Sequence, residues 1–162
     1  MSDATPTRGV AILGSTGSIG TQALDVIRQQ RERLHVEVLT AHRNADLLIK
    51  QALEFEPNTV VIGDTARLGE VKDALWDHGI KVYGGAEALE QVVEMEGISV
   101  VLTALVGAAG LRPTLRAIRA KKTIALANKE TLVVAGALVM REALAARVDI
   151  CLLYTSPSPR DS

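Results

Sequence analysis

The chain has 162 residues, is 48% hydrophobic but only 2% aromatic, and carries a formal net charge of −1. That length suits a single domain whose core is built from Val, Leu, Ile and Ala, and so balanced a charge gives no field to draw in nucleic acid or an anionic membrane. One cysteine, Cys151, excludes an internal disulfide and suits a reducing compartment.

Strand-like and helix-like runs alternate. Val10–Leu13 reads as a buried strand, and Gly14-Ser15-Thr16-Gly17-Ser18-Ile19-Gly20 follows it as a glycine turn. A helix is expected from Thr21 to Gln30, with Ala23, Leu24, Val26 and Ile27 on its apolar face. His35–Thr40 is the second strand. Asn44 is placed to cap the next helix, which carries Asp46 in its first turn and Leu47, Leu48, Ala52 and Leu53 along one side until Pro57. Thr59–Ile62 is a third strand, and a helix opens at Asp64-Thr65 and runs to about Asp77. Ile80–Tyr83 and Ile98–Leu102 read as strands four and five, with a helix from Ala86 to Met95 between them. The small-residue loop Gly107-Ala108-Ala109-Gly110 precedes a helix that starts near Pro113 and ends in Arg119, Lys121 and Lys122, where positive charge complements the helix dipole. Thr123–Ala127 is a sixth strand, Lys129 to about Arg147 a long helix, and Val148–Ile150 the start of a seventh strand.

This alternation predicts an α/β fold, a Rossmann-like doubly wound domain with a mainly parallel sheet and helices on both faces. No apolar stretch reaches the length of a membrane span. Met1–Arg8 has no signal-peptide apolar region, so a cytoplasmic location is expected. The last residues, Cys151–Ser162, hold two Ser-Pro pairs and no periodicity. Prolines at that density disrupt a central strand, so this run is expected to be a non-native or disordered tail, resembling adapter or frame-shifted sequence; a native flexible tail is the alternative. The expected organisation is a flexible N-terminus at 1–7, a nucleotide-binding domain at 8–150 and the tail at 151–162.

Three blocks carry chemistry. The G-x-x-G-x-x-G turn at Gly14–Gly20 joins a strand to a helix start, which aims backbone N–H groups and a helix N-terminus at one spot and suits a phosphate; glycine turns of this kind also occur where nothing binds. The second strand ends in His42-Arg43-Asn44, where an acid would favour NAD. No acid stands there, and Arg43 is a planar cation suited to the 2′-phosphate of NADP; solvated loop residues are the alternative. Asn128-Lys129-Glu130 lies at a strand-to-helix junction, an amide and a cation beside an acid that also suits a helix first turn. The small residues of Thr103–Gly110 permit close approach to a flat cofactor, or close helix–sheet packing. His35 and His78 are isolated, and no His/Cys cluster has metal-ligand spacing.

Taken together, Leu13–Gly20, Val106–Thr114 and Leu126–Glu130 closely resemble the 1-deoxy-D-xylulose 5-phosphate reductoisomerase family, over roughly residues 8 to 150. The resemblance implies a homodimeric oxidoreductase of non-mevalonate isoprenoid biosynthesis. Such an enzyme uses NADPH and a divalent cation, Mn²⁺ or Mg²⁺, to convert the sugar phosphate 1-deoxy-D-xylulose 5-phosphate to 2-C-methyl-D-erythritol 4-phosphate. It implies that Thr16, Gly17, Ser18 and Ile19 hold the NADPH pyrophosphate and that His42, Arg43 and Asn44 bind its 2′-phosphate end. Asn128 and Glu130 would contact NADPH, and Lys129 would reach the substrate. His42 stands where the family often has glycine. The family's metal-binding carboxylates are expected beyond residue 150, so the metal and substrate part and the C-terminal domain are expected to be missing, no catalytic set is complete, and the fragment alone is expected to be inactive. Two alternatives remain. Another NADP-linked dehydrogenase, such as a semialdehyde dehydrogenase, needs a nucleophilic cysteine, and Cys151 lacks that context; a non-catalytic nucleotide-sensing module would have no use for Asn128-Lys129-Glu130.

Overall fold

The computed structural model describes residues 7–105, 107–126 and 130–152, and the side chains within them except those of 107, 108, 130–136 and 152. Seven strands form one all-parallel sheet: β1 (Arg8–Leu13), β2 (Leu34–Ala41), β3 (Thr59–Ile62), β4 (Lys81–Gly84), β5 (Val100–Thr103), β6 (Thr123–Leu126) and β7 (Ile150–Leu152). Their order across the sheet is β4-β3-β2-β1-β5-β6-β7, so the chain winds outward from β1 in one direction, returns, and winds outward in the other. Six helices connect them: α1 (Ser18–Gln29), α2 (Ala45–Phe55), α3 (Leu68–Leu75), α4 (Ala86–Val92), α5 (Leu111–Arg119) and α6 (Glu130–Ala146). The predicted doubly wound α/β fold is therefore the fold of the molecule.

Strand alternation divides the core in two. Val10 and Ile12 of β1 share one core layer with Leu24 and Ile27 of α1, Leu48 and Ala52 of α2, and Val71 and Leu75 of α3. Ala11 and Leu13 point the other way, into the layer formed with α4, α5 and α6 through Val92, Ile118 and Val139. Both layers are aliphatic apart from Phe55 at the end of α2, and burial at this level supplies the main driving force for the fold. The alternation slips once. Val10 pairs with Val36 but Ala11 with Val38, a bulge at Glu37 that puts Val36 and Leu39 on one face and Val38 on the other.

Several boundaries differ from the sequence reading. The helix expected from Asp64 to Asp77 is a short 3-10 turn at Thr65–Arg67, then α3, then a second 3-10 turn at Trp76–His78. Asp64 caps the first turn, its Oδ1 accepting from the Ala66 N–H at 3.0 Å. The helix from Ala86 stops at Val92 rather than Met95. At the end of the chain, Cys151 and Leu152 belong to β7, in register with Ala125 and Leu126. The expected boundary at 150 thus falls inside a strand whose partner, β6, is distant in sequence and gives no local signal. The rest of the expected tail, 153–162, lies outside the described residues, as do residues 1–6.

Candidate functional site

In an open parallel sheet a ligand sits at the carboxyl ends of the strands, where the winding reverses. Here that point lies between β1 and β5. The loops after both strands run side by side: the Ala104 N–H donates to the Leu13 carbonyl at 2.9 Å, and the α-carbon of Gly14 faces the backbone of Ala104.

The turn after β1 is built by backbone constraint. Gly14 has φ +90°, a conformation that glycine adopts without the steric cost met by other residues. Gly20 lies against the turn itself, and a Cβ there would come within 2.2 Å of the Gly14 carbonyl oxygen. Gly17 is different. Its φ of −80° is open to any residue, and a Cβ there would meet nothing nearer than the Gly14 carbonyl oxygen at 3.9 Å. The protein itself does not require glycine at this position; close approach by something outside the protein would.

The turn is pinned at its start. Gly14 N–H donates to the Thr40 carbonyl at 3.2 Å and Oγ1 at 3.1 Å, and Ser15 N–H donates to the Thr40 carbonyl at 2.8 Å. Beyond Ser15, the N–H groups of Thr16, Gly17, Ser18, Ile19 and Gly20 have no acceptor among the described residues. The first turn of α1 holds no acid to compete for them, so they and the positive end of the helix dipole form a cradle for an anion. Gly17, Ser18 and Ile19 are exposed and Thr16 half-buried. The Ile19 side chain itself turns toward an apolar cleft of ≈ 370 Å³ on the flank of α1, so only its backbone faces the cradle.

The turn after β2 presents side chains instead. His42, Arg43 and Asn44 are all exposed. The Asn44 Oδ1 caps α2 by accepting from the Leu47 N–H at 3.1 Å, as expected from sequence, which leaves its amide N–H groups outward. The Arg43 carbonyl accepts from Ala45 N–H at 2.7 Å, and the His42 carbonyl from Asp64 N–H at 2.8 Å, which fixes the loop backbone. The His42 ring lies over Gly63, where a Cβ would come within 2.7 Å of Nδ1. Arg43 has no carboxylate partner among the described residues, whereas Arg28, Arg67 and Arg116 are each paired. An unpaired guanidinium offers a bidentate donor without first breaking an ion pair.

The third block is reached in part. β6 ends at Leu126, in register with Thr103 at the end of β5. α6 opens at Glu130, but Asn128 and Lys129 lie outside the described residues. Among the described residues no group of three or more His, Cys, Asp and Glu side chains comes together to hold a metal ion. Cys151 is free and exposed. No described helix is long and apolar enough to cross a membrane.

Sequence reasoning missed Gln51. It is buried on the inner stripe of α2, beside Leu48, Ala52 and Phe55, and bonds to Ser15 in the glycine turn. The signal was available: a glutamine at i+3 from Leu48 and i−4 from Phe55 sits on an apolar face and needs a buried partner.

The profile of the family described as 1-deoxy-D-xylulose 5-phosphate reductoisomerase matches residues 10–136. A protein of that name from Bacteroides fragilis is 57% identical over 141 residues, which is 87% of this chain and 36% of the relative. Among solved structures, the reductoisomerase from Zymomonas mobilis in complex with NADPH superposes with a TM-score of 0.86 at 38% identity, covering 91% of this chain and 38% of that one. A reductoisomerase in complex with NADPH, fosmidomycin and magnesium gives a TM-score of 0.84 at 37% identity, covering 90% of this chain and 36% of that one. The chain thus spans little more than a third of the length of these proteins.

Proposed function

The chain belongs to the 1-deoxy-D-xylulose 5-phosphate reductoisomerase family, and on that premise we propose that it is the family's NADPH-binding part. The observation that carries the reading is the cradle of unpartnered N–H groups at Thr16–Gly20, with Gly17 open to a ligand. The backbone of Thr16, Gly17, Ser18 and Ile19 holds the pyrophosphate. Arg43, with the Asn44 amide and His42, holds the 2′-phosphate, which selects NADPH over NADH. Asn128 and Glu130 contact the cofactor from the junction after β6, and Lys129 reaches the phosphorylated substrate. Bound NADPH supplies a hydride to a carbonyl carbon of the sugar phosphate. The chain's own residues bind the dinucleotide and fix its orientation across the β1–β5 crevice.

In the full-length protein this part works with a divalent cation, magnesium or manganese, and with a sugar-phosphate substrate, as a homodimer in the cytoplasm. The metal and the rest of the substrate site belong to the nearly two-thirds of the relatives' length that this chain does not span, so the 162-residue chain binds NADPH without turning over. Incubation with NADPH, 1-deoxy-D-xylulose 5-phosphate and Mn²⁺ is expected to leave the absorbance of NADPH unchanged. Oxidation of NADPH above the rate without protein overturns this.

A further inference from the structure

Ser15 and Gln51 are 36 positions apart and both buried, at 0% and 6% exposure. They form a closed pair. The Ser15 Oγ–H donates to Gln51 Oε1 at 2.7 Å, and Gln51 Nε2–H donates to the Ser15 carbonyl oxygen at 2.9 Å. One side-chain amide thus spends its acceptor and a donor on a single residue of the glycine turn. The second bond sets a direction. A peptide unit is planar and trans, so its C=O and the following N–H point opposite ways. With the Ser15 oxygen held toward α2, the N–H of Thr16 is turned away from α2. The other side of Ser15 is also fixed, since its own N–H donates to Thr40. The Thr16 N–H has no acceptor among the described residues.

We infer that Gln51 is a positioning residue for the dinucleotide pyrophosphate, fixing the Ser15–Thr16 peptide so that the Thr16 N–H is presented as a donor at the head of the cradle. This rests on the reading of the turn as the NADPH site. Because Gln51 lies in α2, the same helix that Asn44 caps, the clasp also holds the 2′-phosphate loop at a fixed separation from the pyrophosphate turn. A preorganised donor loses no conformational freedom when the ligand arrives, which is where its contribution to affinity arises.

Three substitutions separate positioning from mere support. Gln51→Met keeps the shape and removes both bonds. Gln51→Glu keeps the acceptor for Ser15 Oγ and sets a carboxylate oxygen against the Ser15 carbonyl, which pushes the peptide round. Ser15→Ala removes the hydroxyl bond and leaves the one that orients the peptide. Binding is measured by calorimetry on the 162-residue chain, below the melting midpoint of each variant, with NADPH and with adenosine 2′-monophosphate, which has no pyrophosphate. The backbone amide of Thr16 is followed by NMR. Both Gln51 variants are expected to bind NADPH about tenfold more weakly, the effect of roughly one hydrogen bond. They should bind adenosine 2′-monophosphate as the parent does, with a displaced Thr16 amide signal. Ser15→Ala should keep NADPH affinity within about threefold, less than one full bond. Equal losses for both ligands, unchanged NADPH affinity in folded variants, or failure of both Gln51 variants to fold would each assign Gln51 to support alone and overturn the inference. If the parent chain itself does not bind NADPH, the reading beneath it falls as well.

Discussion

After β1 the chain turns through Gly14–Gly20 with the Ser15 side chain and carbonyl held inward and the N–H groups beyond Ser15 left without an acceptor among the described residues. After β2 it turns through His42–Asn44 with its backbone bonded inward and its side chains left outward. The first loop offers partial charges fixed by geometry, and the second offers a full charge on a long, mobile stem. A dinucleotide phosphate needs both. On the proposed reading, the backbone cradle takes a diphosphate of any nucleotide, and the guanidinium of Arg43 distinguishes a ligand with an added phosphate from one without it. The difference shows which changes damage the fold and which damage only binding.

The largest effect is expected at Gly20, where the turn closes on itself. Gly20→Ala drives a methyl group into the Gly14 carbonyl and Ser15 backbone, which cannot yield cheaply. Overpacking against backbone costs about 3 kcal/mol, which lowers the melting temperature by roughly 6–12 °C; a thermal melt followed by circular dichroism measures it. Gly17→Ala isolates the ligand side of the same turn. Its methyl meets open space, so stability should stay within about 1 kcal/mol, the cost of exchanging glycine for alanine at a helix N-cap. NADPH affinity should drop by more than tenfold, since the backbone can no longer approach the pyrophosphate closely.

The second loop answers to a different change. Arg43→Ala should weaken NADPH about tenfold, as one charge-assisted phosphate contact is lost, and leave NADH affinity and the melting temperature unchanged in paired titrations. The smallest effect is expected where α1 and α2 are braced on the outside, by Arg28 donating to Glu54 at 2.6 and 2.9 Å. The Arg28 hydrogen bond, opposed in part by burial, holds the Glu54 carboxyl below its ordinary value of 4.5. A depressed carboxylate stabilises the fold above that pH, and the contribution is lost as pH falls through the lowered value. The pair is exposed and screened, so Glu54→Gln should shift the melting temperature at pH 7 by no more than about 2 °C. As pH falls through that lowered value, the melting temperatures of parent and variant should converge.

The same contrast explains what the sequence alone made legible. The strands, the order of helices and the glycine turn are local patterns: an apolar run, a 3.6-residue stripe, a glycine that must take φ +90°. Asn44 as a cap and Arg43 as an unopposed cation were readable because one side chain carries each role. Gln51 left a signal only in its place on the apolar stripe of α2; its partner is 36 residues away, and the packing of α2 on β2 brings the two together. The extension of β7 to Leu152 escaped for a different reason. Ile150-Cys151-Leu152-Leu153 is an apolar run, but the Ser-Pro pairs that follow draw the boundary too early, and parallel pairing with Ala125 and Leu126 shows the order. The bulge at Glu37 likewise depends on how β2 pairs with β1 and leaves no mark on the pattern of apolar residues in β2.

The central claim is that two loops of opposite character meet on one NADP-type dinucleotide. The direct test is calorimetric titration of the 162-residue chain with NADPH and, in parallel, NADH. Saturable binding of both, with NADPH favoured by about tenfold or more through one charge-assisted phosphate contact, is the predicted result. Equal affinity for the two would remove Arg43 from the site, and no binding of either would contradict the account of the Gly14–Gly20 turn.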